Sequence, residues 1–119
     1  MPTRNDALEN HLSKSSEVTI TVTGRKSGRP ISLPIWFVWE GGTLFLLPVK
    51  GSDTQWYKNL ISNRSIQIEA GGAKAELQAK PITDKTQVSS VIEKFRAKYH
   101  GDVKKYYSRF DAAVVAETR

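Results

Sequence analysis

The sequence predicts a mainly β, α+β fold in which about six antiparallel strands close toward a barrel and two or three helices flank them. Three observations lead there. Short runs of β-branched and aromatic residues alternate with polar ones, glycine-containing turns separate these runs at close spacing, and sustained helical periodicity is confined to residues 53–63 and 86–99. A short meander closed into a barrel also removes its unpaired edges. A chain of 119 residues fits one domain with a real core. Residues 17–119 are assigned to it, and residues 1–16 to an N-terminal arm or a short polar helix over 5–15 whose apolar contacts are Ala7, Leu8 and Leu12.

The first strand, Glu17 to Thr23, alternates Val18, Ile20 and Val22 with Thr19, Thr21 and Thr23, the period of a half-buried strand. The turn TGRKSGRP, Thr23 to Pro30, follows. Ile31 to Trp39 then reads as one strand, with Ile31, Leu33, Ile35, Phe37 and Trp39 on one face and Ser32, Pro34, Trp36 and Val38 on the other. Both faces are apolar near its middle, so both need cover. Glu40-Gly41-Gly42 forms a tight hairpin turn into a third strand, Thr43 to Val49. Pro34 and Pro48 lack a ladder donor and mark an edge, a bulge or a place where a ligand replaces the next strand.

Ser52 followed by Gln55 has the form of a capping box, and Trp56, Leu60 and Ile61 recur at helical spacing, which predicts a helix over 53–63. Ser65 to Ala70 and Ala73 to Lys80 are strands joined across Gly71-Gly72. Asp84 or Thr86 caps a longer helix through Tyr99, with Val88, Val91, Ile92, Phe95 and Tyr99 on one face and Gly101 as its stop. A basic segment carrying Tyr106 and Tyr107 leads to a last strand, Asp111 to Ala116.

Composition narrows the chemistry. A net charge of +6 and a pI near 9.7 favour acidic partners: phosphates, nucleic acid, a polyanionic cofactor or an anionic membrane surface. With no cysteine there is no disulfide, thiol nucleophile or thiolate metal site, and His11 and His100 lie far apart without a second ligand at metal spacing, so no metal is expected. No Ser-His-Asp or Cys-His arrangement is recognisable. An enzyme of this composition borrows its chemistry from an organic cofactor. Arg4, Asp6 and Glu9 open the chain without an apolar core, and no apolar run approaches the roughly 20 residues of a membrane span, so a soluble, cytoplasmic protein is expected, with peripheral membrane contact at most.

Two stretches are suited to anions. In TGRKSGRP, Gly24 and Gly28 permit positive φ, so that amides can converge while Arg25, Lys26 and Arg29 add charge; the alternative is a solvated hairpin tip. In PVKGSDTQWYKNL, residues 48–60, a strand passes through Lys50-Gly51 into a helix N-terminus, whose free N–H groups also attract negative charge. Trp36, Tyr99, Tyr106 and Tyr107 either wall a planar ring or belong to the core.

TVTGRKSGRPISLPIWFVWEGG, KGSDTQWYKNL and KYHGDVKKYYSRFDAAVV together make residues 17–117 resemble the deazaflavin-dependent nitroreductase and quinone reductase family. That family belongs to the flavin-reductase-like split β-barrel group, which includes pyridoxamine-phosphate oxidase-like proteins. The resemblance implies a split β-barrel that binds coenzyme F-420, a deazaflavin with a phosphate and a polyglutamate tail, or as second choice FMN, and that passes a hydride to a quinone, nitroaromatic or other electron-poor small molecule. It implies that Arg25, Lys26, Ser27 and Arg29 hold the anionic part of the cofactor. Pro34, Trp36, Val49, Lys50, Gly51 and Trp56 would lie along it, while Trp36, Tyr99, Tyr106 and Tyr107 would form the substrate pocket. Tyr99 and Tyr106 are the candidate proton donors, and no side chain is covalently involved. A homodimer is expected, because Trp36, Val38 and Pro48-Val49 present apolar groups opposite the core. The competing class is a basic nucleic-acid-binding barrel using the turn and Lys104-Lys105, against which the apolar stretch Ile31 to Val49 argues.

Overall fold

The computed structural model describes residues 10–12, 14–40 and 42–118. Its strands are β1 (Val18–Thr23), β2 (Pro30–Ile35), β3 (Phe37–Glu40), β4 (Thr43–Leu46), β5 (Ser65–Ala70), β6 (Ala73–Ile82) and β7 (Ala113–Thr118). They form one antiparallel sheet in the order β2-β1-β5-β6-β7-β4-β3. β2 and β3 occupy opposite edges, yet only Trp36 separates them in the chain. The sheet must therefore curl until its edges approach, and since no pairing joins β2 to β3 the barrel stays split at that corner.

The single strand expected over Ile31 to Trp39 is thus two strands that change partner at Trp36. Alternation survives the change: Leu33, Ile35, Phe37 and Trp39 face the inner core, while Trp36 and Val38 face the outer one. A switch of hydrogen-bond partner leaves side-chain parity intact, so the pattern carries no mark of it. Pro34 lies on the edge strand β2, where a missing ladder donor costs least.

Val18, Ile20, Val22, Phe37, Leu44, Leu46, Ile66, Ile68 and Leu77 fill the inside of the curl. Each such side chain, buried, stabilises the fold by about 1.5–3 kcal/mol. Helix α1 (Gln55–Ser62) adds Trp56, Tyr57 and Leu60 to that core. Helix α2 (Lys85–Tyr99), capped by Asp84 through the Gln87 N–H, and the short helix α3 (Asp102–Tyr106) build a second core on the outer face. Val88, Val91, Ile92, Phe95 and Tyr99 there cover Val38, which is buried within this chain rather than left as an apolar patch for a second subunit.

Other boundaries move. The third strand ends at Leu46, short of Pro48, and the last runs over Ala113–Thr118 instead of starting at Asp111, because Asp111 is engaged elsewhere. His100, at φ 58, ends α2 while its N–H still reaches the Arg96 carbonyl; Gly101, the expected stop, keeps a right-handed conformation and precedes α3. Residues 10–12 are helical and Leu12 reaches the inner core, whereas Ala7 and Leu8 lie outside the described residues. Gly71, at φ 58, lies under the His11 imidazole, which any Cβ there would strike.

Candidate functional site

The basic turn is closed by hydrogen bonds from the Gly24 N–H to the Arg29 carbonyl and from the Gly28 N–H to the Gly24 carbonyl, both 2.8 Å. Gly28 alone of its glycines has positive φ, at 72°, so of the two readings open for the turn the paired-glycine nest is not formed. Arg25 docks the turn onto α1. Its backbone N–H and Nη1 donate to Asn59 Oδ1 at 3.1 and 2.7 Å, and Nη2 donates to Gln55 Oε1 at 2.9 Å. Asn59 is the buried polar residue of the described chain, so Arg25 satisfies an amide that would otherwise be costly to bury. Lys26 and Arg29 are exposed and form no ion pair among the described residues.

A cavity of about 350 Å³ opens where the turn meets the helix, with Arg25, Lys26, Ser27, Gln55 and Asn59 as its polar lining. A second, of about 420 Å³, is walled by Leu33, Pro34, Ile35, Trp36, Leu47, Val49, Trp56, Tyr106 and Tyr107. Leu33 and Trp56 line both. The two therefore adjoin at those side chains, a cationic, amide-rich cavity beside an aromatic one, and together they are the two ends of the candidate groove.

Trp36 is held in place by tyrosines. It stacks on Tyr99 and meets Tyr106 edge-on with centroids 5.7 Å apart, and its centroid lies 5.9 Å from that of Tyr107. Tyr99 stands behind Trp36 and is not part of the cavity wall. Its hydroxyl accepts the Phe37 N–H at 3.0 Å and offers its proton to the Phe37 and Ser16 carbonyls, each at 2.8 Å. Burial pushes the Tyr99 phenol up to about 12. That hydroxyl is committed to backbone. Burial also raises the Tyr107 phenol, whereas Tyr106 is 54 % exposed at the rim.

The Lys50-Gly51 segment already has an anion. Gly51–Asp53 is a 3-10 turn, and the Asp111 carboxylate accepts the Ser52 N–H at 2.9 Å and the Ser52 hydroxyl at 2.6 Å. The Ser52-Gln55 capping box is not formed, because Ser52 serves Asp111 and Thr54 is the residue that precedes α1. Gly51 is required there: its φ is 58° and a Cβ would strike the Asp111 carboxylate. Lys50 and Gly51 line neither cavity, while Val49 lines the aromatic one.

Sequence reasoning passed over Leu33, Gln55, Asn59 and Glu17, all of which line the groove. An asparagine three residues after Trp56 on the buried helix face was the available signal for Asn59. Among the described residues no cluster of three or more metal-ligating side chains occurs, and no helix is long and apolar enough to cross a membrane.

Residues 9–118 match the family described as "Uncharacterized protein conserved in bacteria (DUF2255)". Among solved structures, an F420-H2 dependent reductase, FDR-A, superposes with a TM-score of 0.68 at 21% identity, covering 86% of this chain and 94% of its own. HutZ, a heme storage protein from Vibrio cholerae, gives 0.72 at 13% identity over 99% of this chain and 92% of that one. A structure described as a domain-swapped dimer gives 0.70 at 18% identity over 97% and 100%. These likenesses show the split-barrel fold.

Proposed function

We propose that this chain, which belongs to the DUF2255 family, is an oxidoreductase that holds a deazaflavin of the coenzyme F-420 type in its groove and serves the reduction of a quinone, nitroaromatic or similar electron-poor small molecule. The observation that carries this reading is the adjacency of the two cavities, which share Leu33 and Trp56 as lining. A ligand with an anionic tail and a planar ring needs both chemistries side by side, and the volume of the aromatic end, about 420 Å³, falls within the range of small-molecule pockets. The donor set fits such a group. Lys26 is exposed in the lining and able to meet phosphate or carboxylate, with Arg25 and Ser27 beside it, while Arg29 lines neither cavity; Trp36, Trp56 and Pro34 offer flat apolar surface to a ring.

A bound deazaflavin supplies two-electron hydride chemistry. The chain's own part is to bind, orient and exclude water. Tyr106, exposed at the rim of the aromatic end, is the better candidate proton donor of the two tyrosines, since the Tyr99 hydroxyl is engaged with Phe37 and Ser16. FMN is the second candidate ligand. We read the assembly as a homodimer, supported by exposed Ile31, Val49 and Tyr106 at the groove and by the likeness to a domain-swapped dimer.

The test is absorption and fluorescence spectroscopy after adding F-420 and FMN separately. Micromolar or tighter F-420 binding, and oxidation of reduced F-420 when menadione or a nitroaromatic is present, is the expected result. Binding of FMN with no response to F-420 would move the protein to flavin chemistry, and no binding of either would overturn the reading.

A further inference from the structure

Among the described residues the aromatic end of the groove has one charged lining residue, Glu17; the other described lining residues are uncharged. Glu17 is exposed and yet part of the lining, which puts the residue at the rim. Its backbone is anchored. It lies between Ser16, whose carbonyl accepts the Tyr99 hydroxyl, and Val18, which pairs with Ile35 one residue from the Trp36 corner. The Tyr99 phenol is raised by burial and, more weakly, by the Glu17 charge, an independent sign that the carboxylate lies near the Trp36–Tyr99 stack. The charges in the two linings thus differ in sign, Arg25 and Lys26 in one and Glu17 in the other. Lys105, 5.4 Å from the Tyr106 ring centroid, and Lys98, 5.2 Å from that of Tyr99, are cations near the aromatic end but outside its lining.

We propose that Glu17 is a charge filter on the aromatic cavity, making it accept neutral or cationic planar aromatic molecules and disfavour anionic ones. This rests on the reading of that cavity as the small-molecule site. The physics is Coulombic: a carboxylate beside low-polarity walls repels a second anion more strongly than it would in open water, and favours a cation equally. Specificity then comes from a repulsive element as well as from shape. The cationic end would still attract an anionic group, so Glu17 decides which way round a singly charged aromatic molecule lies.

The filter is tested with three probes of nearly one shape, 4-nitrobenzylammonium, 4-nitrobenzyl alcohol and 4-nitrobenzoate, whose binding is read by quenching of tryptophan fluorescence. Each is titrated into the full chain, into Glu17→Gln and into Glu17→Lys. Comparing the same probe between variants cancels any contribution from the basic turn. The affinity of the anion relative to the alcohol is expected to rise about two- to fivefold in Glu17→Gln and further in Glu17→Lys, while that of the cation falls by a similar factor. Added salt should shrink both changes. Glu17 is exposed, so both variants should keep the parent's melting temperature. If the alcohol binds and the ratios are the same in all three proteins, the filter is overturned and the cavity remains a small-molecule site. If no probe quenches any protein, the filter and the site reading fall together.

Discussion

The indole of Trp36 lies flat against the phenol of Tyr99, with ring centroids 4.4 Å apart and planes 5° from parallel. The pair sits where the chain leaves one sheet edge for the other, and it links the outer core to the aromatic cavity. Since the Tyr99 hydroxyl bonds the backbone of Phe37 and Ser16, one side chain fixes the start of β3, the approach to β1 and the plane of Trp36.

Tyr99→Phe keeps the stack but strips the Phe37 N–H of its acceptor. A buried donor left unpaired costs about 1–3 kcal/mol, which a urea titration would resolve. The pH response follows in sign. The folded phenol titrates at about 12 against an ordinary 10.0, so its contribution is complete below pH 10 and is lost as pH climbs from there to about 12, where the unfolded chain ionises first. The loss is on the order of 2–3 kcal/mol. In Tyr99→Phe that part of the alkaline stability curve should flatten; an unchanged curve would mean that other groups carry it.

The strands β1, β5 and β6 and the helix α2 were legible because their signals are local: alternation with β-branched residues in the first, paired glycines between the next two, and an Asp cap before a 3.6-residue pattern in the last. What escaped depends on partners distant in sequence. Ser52 looks like a helix cap until Asp111, 59 positions away, takes its hydroxyl. Arg25 looks like a solvated turn cation until Asn59 and Gln55 are brought to it. The change of partner at Trp36 leaves the alternation untouched, so no local pattern could show that β2 and β3 belong to opposite edges. For the site, the basic turn and Trp36 could be read as candidates, whereas the groove that joins them exists only once α1 packs beside β2.

The Asp111 clamp responds to acid. The Ser52 hydroxyl bond, offset by partial burial and helped by the Ser52 N–H and Arg109, holds the Asp111 carboxyl below its ordinary 3.8. Its stabilising contribution is therefore present above pH 3.8 and fades as pH falls through the lower folded value. Asp111→Ala should remove that acid dependence and loosen the 3-10 turn ahead of α1, seen as faster amide exchange at Ser52. Gly51→Ala meets the same carboxylate and a left-handed φ, and should cost about 2–4 kcal/mol from backbone strain plus the lost charge-assisted bonds.

Arg25 and Lys26 should separate into different roles. Because Arg25 satisfies the buried Asn59 amide, Arg25→Ala is expected to lower stability by about 1–3 kcal/mol as well as ligand affinity. Lys26→Ala should leave stability within about 0.5 kcal/mol and still weaken a phosphate- or carboxylate-bearing ligand by about 1.5–3 kcal/mol for a lost charge-assisted contact. Urea titration paired with F-420 binding in each variant checks this. Unchanged F-420 affinity in the folded Lys26→Ala and Arg25→Ala variants would show the turn to be purely structural.

Assembly depends on what remains uncovered. Helix α2 and the tyrosines already bury Val38 and half-bury Trp36. Of the large apolar residues that stay exposed, Ile61 lines neither cavity, and the pressure toward a partner at the groove rests on Ile31 at 43%, Val49 at 41% and Tyr106 at 54% exposure. The last two line the aromatic cavity and Ile31 lines the cationic one. A second copy that covered them would close the groove as well as bury apolar surface, and a two-fold pair would do so at both grooves at once. Light scattering should then give a mass near twice 13.3 kDa. Replacing Ile31 and Val49 by lysine should return it to the monomer value while the chain stays folded, since neither residue is buried in this chain. A parent protein already at 13.3 kDa would leave Tyr106 of the same chain as the cover over the aromatic end.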